Sequence, residues 1–302
     1  MKIAYLITAY KDPVQLMMLI KALGNQTFFI HIDKKYNDSE FKSQLSGFHS
    51  VYWIEDRIRI SWGGYSQVQS IIMLLKACLS SGFVYDRVVC ISGTDYPVWS
   101  NPKIEAEFSE NPHKQYLTGF NISECVSAEQ IERIEKYYFF DIKSKLLRDI
   151  TNRFSSILYH LHIARKRRVY RTRTHTWTIY CGSDYWALTY ECACYLYKQC
   201  ISQNGLMRYI STSFVPSEIF VQTILLNSPF KDQIAIYPDK LYKNLASLTP
   251  LQYIDYRPTG MEVLDETSFN AIISSNKMFF RKASSTKSFD LINLIDAYRE
   301  KI

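Results

Sequence analysis

"KIAYLITAYKDPVQLMMLIKALGNQTFFIHID", Lys2 to Asp33, sets a helical pattern between two apolar runs. The first run, "KIAYLITAY", is almost continuously apolar, as a strand covered on both faces must be. Asp12 reads as an N-cap, Pro13 takes the first helical position and Gly24 is the C-terminal stop. Val14, Met17, Met18, Ile20 and Leu23 form the expected apolar face of that helix. "TFFIHID" is a second strand, running out into the charged cluster "DKKYNDSE".

The rhythm continues outward. "SVYWIE" is a third strand and "YDRVVCISG" a fourth. Between them "YSQVQSIIMLLKACLSSG" carries Val68, Ile71, Ile72, Leu75, Cys78 and Leu79 at helical spacing. Alternating strand and helix predicts an α/β fold with a central, mostly parallel sheet flanked by helices. Ligands of such sheets bind beyond the carboxyl ends of the strands, here "TAYKD", "HIDKK" and "SGTDYP". No GxGxxG or GxxxxGK[ST] follows any strand, which disfavours dinucleotide and P-loop chemistry.

From Glu129 to Arg173 the chain reads as helical and increasingly basic. "TIYCGSDYWALTYECACYLYKQC" then reads as strand, turn and helix. "QIAIYP", an irregular segment with "DYRPTG", a helical "DETSFNAIISS" and "NKMFFRK" complete the chain. No repeat, Gly/Ser linker or low-complexity tract interrupts it. The simplest partition is one catalytic unit over 1–302. Its nucleotide-binding half would be 1–100, its acceptor-side half 101–250, and 251–302 a phosphate-contacting segment and helix.

The 302 residues are 47% apolar and 22% charged, an ordinary globular composition. A net charge of +7 favours anionic partners without choosing among them. No window is long and apolar enough to span a membrane, and seven cysteines without a CxxC read as reduced thiols. The expected location is cytoplasmic, with peripheral contact at the inner membrane face.

Asp33 ends a strand at the ligand edge, where a carboxylate can accept from a ribose hydroxyl or a uracil N–H. With His31, two residues back on the same face, it can instead hold a metal, or be a plain solvated strand end. Asp95 lies in the strand exit "ISGTDYP", as a ligand-side residue or a turn residue bonded to its own backbone. No Asp-x-Asp occurs, so the usual cation grip on a sugar-nucleotide diphosphate is missing. "WGGYSQVQ" sets Trp62 and two glycines before a helix, either a ligand approach or a plain turn. "RKRRVYRTRTHTW" packs six Arg or Lys into thirteen residues, fitting an anionic lipid surface, an acidic acceptor or a solvated loop. Nucleic acid would need a recognised module, and none is found. Arg281 and Lys282 of "FFRK" can grip a diphosphate or be a surface pair. Glu218 is the lone acid in the first turn of "VPSEIFVQTILLNS", a dipole-stabilising residue or a catalytic base at a pocket rim.

Taken in order, "AYLITAYKDP", "HIDKK", "WGGYSQVQ", "ISGTDYP", "GSDYWALT", "VPSEIFVQTILLNS" and "FFRK" resemble glycosyltransferase family 14. This family holds the core-2/I-branching β-1,6-N-acetylglucosaminyltransferases and the peptide O-xylosyltransferases. The resemblance runs from residue 3 to about residue 282 and is closest to bacterial members. It implies a GT-A-type nucleotide-sugar fold, an inverting mechanism and no metal or other cofactor. Glu218 matches the family's base, and Arg281 with Lys282 the basic pair on the UDP phosphates. Asp33 and Thr8 fall at nucleotide-side positions, and Arg257 is the candidate for an upstream phosphate contact. Trp62, Thr94, Asp95, Ser183, Trp186 and Tyr253 are the expected donor and acceptor pocket residues. The chain departs from the pattern at Asp184, where members carry a small or polar residue, and in "FFRKA" where many read "FARKF". It also lacks the membrane anchor, stem and disulfides of animal members. The implied reaction moves a sugar, N-acetylglucosamine first, from a UDP-sugar to a glycan hydroxyl. The implied setting is bacterial capsule or lipopolysaccharide synthesis, on an acceptor carried by lipid, with residues 165–173 meeting the membrane. Other readings are a UDP-xylose, UDP-glucuronate or UDP-galactose donor, or a non-catalytic sugar-nucleotide or glycan-binding protein.

Overall fold

In the computed structural model, residues 1–236, 248–257 and 260–301 are described. The end of "QIAIYP" and Pro258–Thr259 of "DYRPTG" lie outside them. The first third alternates as expected: β1 (Ile3–Ala9), α1 (Pro13–Leu23), β2 (Thr27–Ile32), α2 (Ser39–Gln44), β3 (Val51–Trp53), α3 (Ser66–Leu79) and β4 (Arg87–Ser92). Asp12 caps α1 by accepting from the Gln15 N–H at 3.0 Å, and Gly24 closes it at φ 70°. The buried face of α1 is Gln15, Leu16, Leu19, Ile20 and Leu23, however, and Val14 is exposed. Met17 and Met18 pack partly buried at the edge of that core, and Val14 alone of the expected face turns outward; Gln15 takes an inward place because its Nε2 reaches the Asp95 carbonyl at 3.3 Å.

The remainder holds β5 (Asp95–Pro97), α4 (Asn101–Glu110), β6 (Gln115–Asn121), α5 (Ala128–Glu135), α6 (Lys145–His160), β7 (Val169–Arg171), β8 (Thr176–Thr178), β9 (Tyr180–Gly182) and β10 (Trp186–Thr189). Then come α7 (Tyr190–Ser202), α8 (Asn204–Ser211), α9 (Ser217–Leu226), β11 (Ile234–Ile236), β12 (Gln252–Ile254), β13 (Tyr256–Arg257), β14 (Gly260–Met261), α10 (Phe269–Ser274), β15 (Phe279–Arg281) and α11 (Phe289–Arg299).

The main sheet runs β11-β6-β10-β4-β1-β2-β3, with β9 also on β6. Its β3-β2-β1-β4 side is parallel, as expected. Beyond β4 the sheet is mixed, because β10 runs antiparallel to both β4 and β6. Side chains of β1 alternate between two cores. Ala4 and Leu6 pack towards α3, α7, α8 and α9, whereas Ile3, Tyr5, Ile7 and Ala9 pack towards α1, α4 and α11. Burial of both faces is why "IAYLITA" shows no polar alternation. A second sheet, β12-β15-β5, branches from the end of β4.

The span expected to be helical from Glu129 to Arg173 is broken. After α6 the basic segment becomes the β7–β8 hairpin. Lys166 is buried, its ammonium pushed down to about 7 by burial and bonded to Ser213 Oγ at 2.7 Å. Arg165 and Arg168 turn onto Glu135, at 3.9 and 2.7 Å. The segment is thus partly structural rather than a uniform charged surface. All seven cysteines are free thiols, six of them buried.

α9 is buried along its whole length, and two strand glycines let it approach. A Cβ on Gly182 would meet the Thr118 carbonyl at 2.1 Å and Gln222 Nε2 at 2.8 Å. Gly182→Ala is expected to destabilise the fold by about 1–3 kcal/mol through overpacking, measured by urea unfolding. Wild-type stability in that variant would show that β9 and α9 have slack.

Candidate active site

The carboxyl edge of the parallel strands gathers much of what the sequence nominated. Thr8, next to the end of β1, lies beside Ser92 of β4, and its carbonyl accepts from the Gly93 N–H at 2.9 Å. Asp33 follows β2, and its own N–H donates to the Ala9 carbonyl at 2.9 Å. Asp33 is buried, and its Oδ1 accepts from the N–H groups of Lys35 at 3.0 Å and Ile60 at 3.2 Å. It therefore pins the loop after β2 to the segment before Trp62. The neighbouring His31 is also buried, held down to about 4 mainly by burial, and its Nε2 accepts from the Ile58 N–H at 3.1 Å.

β15 lies antiparallel to β5, with Arg281 opposite Asp95. Arg281 Nη1 donates to Thr94 Oγ1 at 2.9 Å and to Asp95 Oδ1 at 3.1 Å. Asp95 is fully buried; burial pushes its carboxyl up, against Arg281, the Ser92 N–H and Gln252 Nε2. The Arg281 guanidinium also lies 4.8 Å from the centroid of Tyr185. Its Nε is buried with no hydrogen-bond partner among the described residues. Beside it, burial and then the charges of Arg281 and Lys11 push the Lys282 ammonium down. Lys282 makes no ion pair among the described residues. Tyr253 is half-buried and sits next to Phe280 in the register of β12 with β15.

Glu218 opens α9 with only 7% of its surface exposed. Its Oε2 is paired with Arg133 from α5, whose other arm donates to Gln130 Oε1 at 2.9 Å. Arg133 also lies over Phe214, at 5.4 Å from the ring centroid. Phe214 belongs to an aromatic group with Tyr138, Phe140 and Trp62. Trp62 is 72% exposed at the edge of that group.

Asp184 joins the two ends. Its carboxyl is raised to about 7, first by burial and then by the negative charge of Glu218, while Arg281 and Arg133 oppose the shift. The charges of Arg281, Glu218 and Arg133 all act on Asp184, and those of Arg281 and Lys11 act on Lys282. One end is cationic and the other holds a carboxylate, as a group-transfer centre with an anionic leaving group needs. A cavity of about 430 Å³ between α1, α4 and α11 is lined by none of these residues.

A profile of the Core-2/I-Branching enzymes matches residues 3–237. The chain belongs to the core-2/I-branching enzyme family. Its relatives, at low identity, include proteins named as xylosyltransferases and N-acetylglucosaminyltransferases. Xylosyltransferase 2 of Rattus norvegicus is 23% identical over 98% of this chain and 33% of that protein. A probable β-1,6-N-acetylglucosaminyltransferase 7 of Homo sapiens is 22% identical over 62% of this chain and 41% of that protein. The chain thus spans about a third of the length of the xylosyltransferases it matches. A solved structure of mouse xyloside xylosyltransferase 1 aligns with 78% of this chain and 85% of that one, at 11% identity and a TM-score of 0.34.

Within this core-2/I-branching chain the family match covers Thr8, Asp33, Asp95, Asp184 and Glu218 and ends before Arg281. Three sequence expectations change. Trp186 is fully buried in the core and cannot line a pocket. Ser183 is buried too, its carbonyl accepting from Gln222 Nε2 at 2.6 Å. Arg257 is exposed and bonded twice to Asp255, at 2.9 and 3.1 Å, rather than to the Arg281 cluster. Arg133, Tyr185 and Gln252 were not nominated from the sequence. Arg133 sits in "AEQIERIE", where a charged helix gives no sign that its arginine points inward.

Asp184 carries a pH prediction. A carboxyl whose folded pKa is raised from 3.8 to about 7 adds stability at low pH that is lost as pH rises through 7. Asp184→Asn should therefore gain stability over wild type progressively from pH 5 to pH 8, read from urea midpoints. A pH-independent difference would place Asp184 outside the field of Glu218.

Proposed function

We propose that this protein is an inverting, metal-independent transferase of the GT-A type that uses a UDP-sugar. The observation that carries the reading is that Glu218, paired with Arg133, and Arg281, beside Lys282, both act on the buried carboxyl of Asp184. In this reading Glu218 takes the proton of an acceptor hydroxyl as its oxygen attacks the anomeric carbon. The displacement is a single in-line step, so one carboxylate is enough. The departing diphosphate is received by Lys282, Lys11 and Arg281. The Lys282 ammonium is depressed first by burial and then by the charges of Arg281 and Lys11, and that second cause supports a local positive potential suited to an anion. Asp33 and Thr8 would serve the nucleotide side, with Thr94 and Tyr253 around the donor and the buried Asp95 holding Arg281 in place. Asp184, protonated near neutrality, would donate a hydrogen bond beside Glu218 rather than compete as a second base. The acceptor is proposed to be a glycan hydroxyl, in bacterial surface-polysaccharide synthesis as the family resemblance implies.

N-acetylglucosamine remains the first donor to test. A second reading, a xylosyl donor, is favoured by one observation. The match to Xylosyltransferase 2 runs over 98% of this chain, whereas that to the human N-acetylglucosaminyltransferase covers 62%.

Glu218→Gln is expected to lower transfer by at least about a hundredfold while leaving UDP affinity unchanged. Lys282→Ala should weaken UDP roughly tenfold without loss of stability, since it breaks no ion pair. Arg281→Ala should lose both, because it also leaves Asp95 buried and unpaired. Full transfer by folded Glu218→Gln would overturn the assignment of the base. Thermal shifts with UDP-N-acetylglucosamine, UDP-xylose, UDP-glucuronate and UDP-galactose, in EDTA and in Mn²⁺, are expected to show a UDP-specific rise that survives EDTA. A rise that requires Mn²⁺ would reject metal independence.

A further inference from the structure

The helix α6 presents the wrong face to solvent. Leu146, Leu147, Ile150, Phe154, Ile157 and Leu161 are each half or more exposed, and Ile163 just beyond is 68% exposed. Their spacing places them on one stripe about 100° wide. The face turned to the protein is polar. Asn152 Oδ1 accepts from the Phe139 N–H at 2.9 Å, Ser155 Oγ donates to the Tyr137 carbonyl at 2.6 Å, and Tyr159 OH meets Glu135 at 3.5 Å. Single exposed apolar residues need no explanation, but an aligned run of this length marks an interaction surface.

We propose that α6 is a membrane-docking helix that lies on an anionic lipid surface with this stripe among the acyl chains. Charge complementarity selects the occupant. Lys143, Lys145, Arg153 and His160 are exposed around the stripe, and α6 itself carries one acid, Asp149. The chain then runs into the hairpin, where Arg167, Arg171 and Arg173 are exposed and free of ion pairs among the described residues. A second copy on the same stripe would bring these cations against their own equivalents, which anionic headgroups would instead neutralise. No described helix is long and apolar enough to cross a membrane, so α6 lies on the surface rather than spanning it. Docking would also bring the lipid surface to the catalytic end. The loop that α6 holds at Phe139 carries Phe140, which packs on Trp62 and Phe214, and Phe214 underlies Arg133 and hence Glu218. A lipid-linked acceptor fits that placement; this last step alone rests on the transfer reading.

The test is flotation with vesicles of phosphatidylcholine alone and of phosphatidylcholine with phosphatidylglycerol, without donor or acceptor, so it is independent of the transfer reading. Binding is expected to the anionic vesicles and to weaken with salt. Ile150→Ser/Phe154→Ser should lower it by more than about tenfold with an unchanged melting temperature. Arg171→Gln/Arg173→Gln should lower it several-fold and flatten its salt dependence. No binding by wild type, or equal binding by Ile150→Ser/Phe154→Ser, overturns the proposal. A dimer in sedimentation velocity that this double variant abolishes, without vesicle binding, would assign the stripe to a second copy instead.

Discussion

The ion pair between Glu218 and Arg133 is the constraint around which this half of the molecule is arranged. α9 is buried on every side, so a carboxylate in its first turn has lost most of its water. An unpaired charge there would be expensive, and breaking such a pair costs about 3–5 kcal/mol. Arg133 comes from 85 residues earlier, so α5 must dock beside α9 before the acid can be buried. The backbone between them is tied accordingly: the Phe214 N–H donates to the Arg133 carbonyl at 2.9 Å and the Val215 N–H to the Gly63 carbonyl at 3.2 Å. Val215 holds φ at 47°, a left-handed conformation that a β-branched residue avoids by about 1–3 kcal/mol. That strain turns the chain sharply into α9 and puts Glu218 where Arg133 and Asp184 converge. The turn at Trp62–Gly64 belongs to the same unit. Gly64 admits Asp141, whose carboxylate accepts from the Ser66 N–H at 3.1 Å and starts α3.

The other end of the site solves the opposite problem. Asp95 is fully buried and is satisfied by one arm of Arg281, the Ser92 N–H and Gln252. That leaves Arg281 with its charge partly spent on Asp95, while Lys282 and Lys11 add positive charge that Glu262 only partly opposes. Acid and base ends are held apart by Tyr185 and Asp184 on one short turn before β10. A diphosphate and an attacking hydroxyl can thus be held at once, without the cationic end neutralising the base.

The fold was legible where local chemistry and burial agree. The cap at Asp12, the proline at 13 and the stop at Gly24 bound α1 as read, and the unbroken apolar run of β1 announced a sheet covered on both faces. The inward place of Gln15 on α1 was not legible, because it depends on reaching a strand exit that is remote in sequence. The same applies to β10, whose antiparallel direction is set by its neighbours β4 and β6 rather than by "WALT". At the site, Glu218, Arg281 and Lys282 stood out as isolated charges in apolar surroundings. Arg133 and Trp186 misled for different reasons. An arginine among "ERIE" resembles a solvated face, and the family resemblance alone places Trp186 at the pocket. Only the packing of α5 and of β10 reverses those readings.

The span from Glu129 to Arg173 shows why polarity pattern alone does not say which face of a helix looks inward. α5 buries Arg133 and Glu135, and α6 buries Ser155 and Tyr159 while exposing its leucines and isoleucines. Periodicity predicts a helix in either case, since it measures segregation of polar from apolar residues and not their destination. What decides destination here is the ionic network. Glu135 gathers Arg165, Arg168 and Tyr159, and Lys166 is drawn in behind them. With the polar faces committed to one another inside, the apolar face of α6 has no remaining place in the fold, and its neighbours outside are cations. A surface that is at once greasy and positive is disfavoured in water alone and against a copy of itself, and is matched by an anionic lipid boundary.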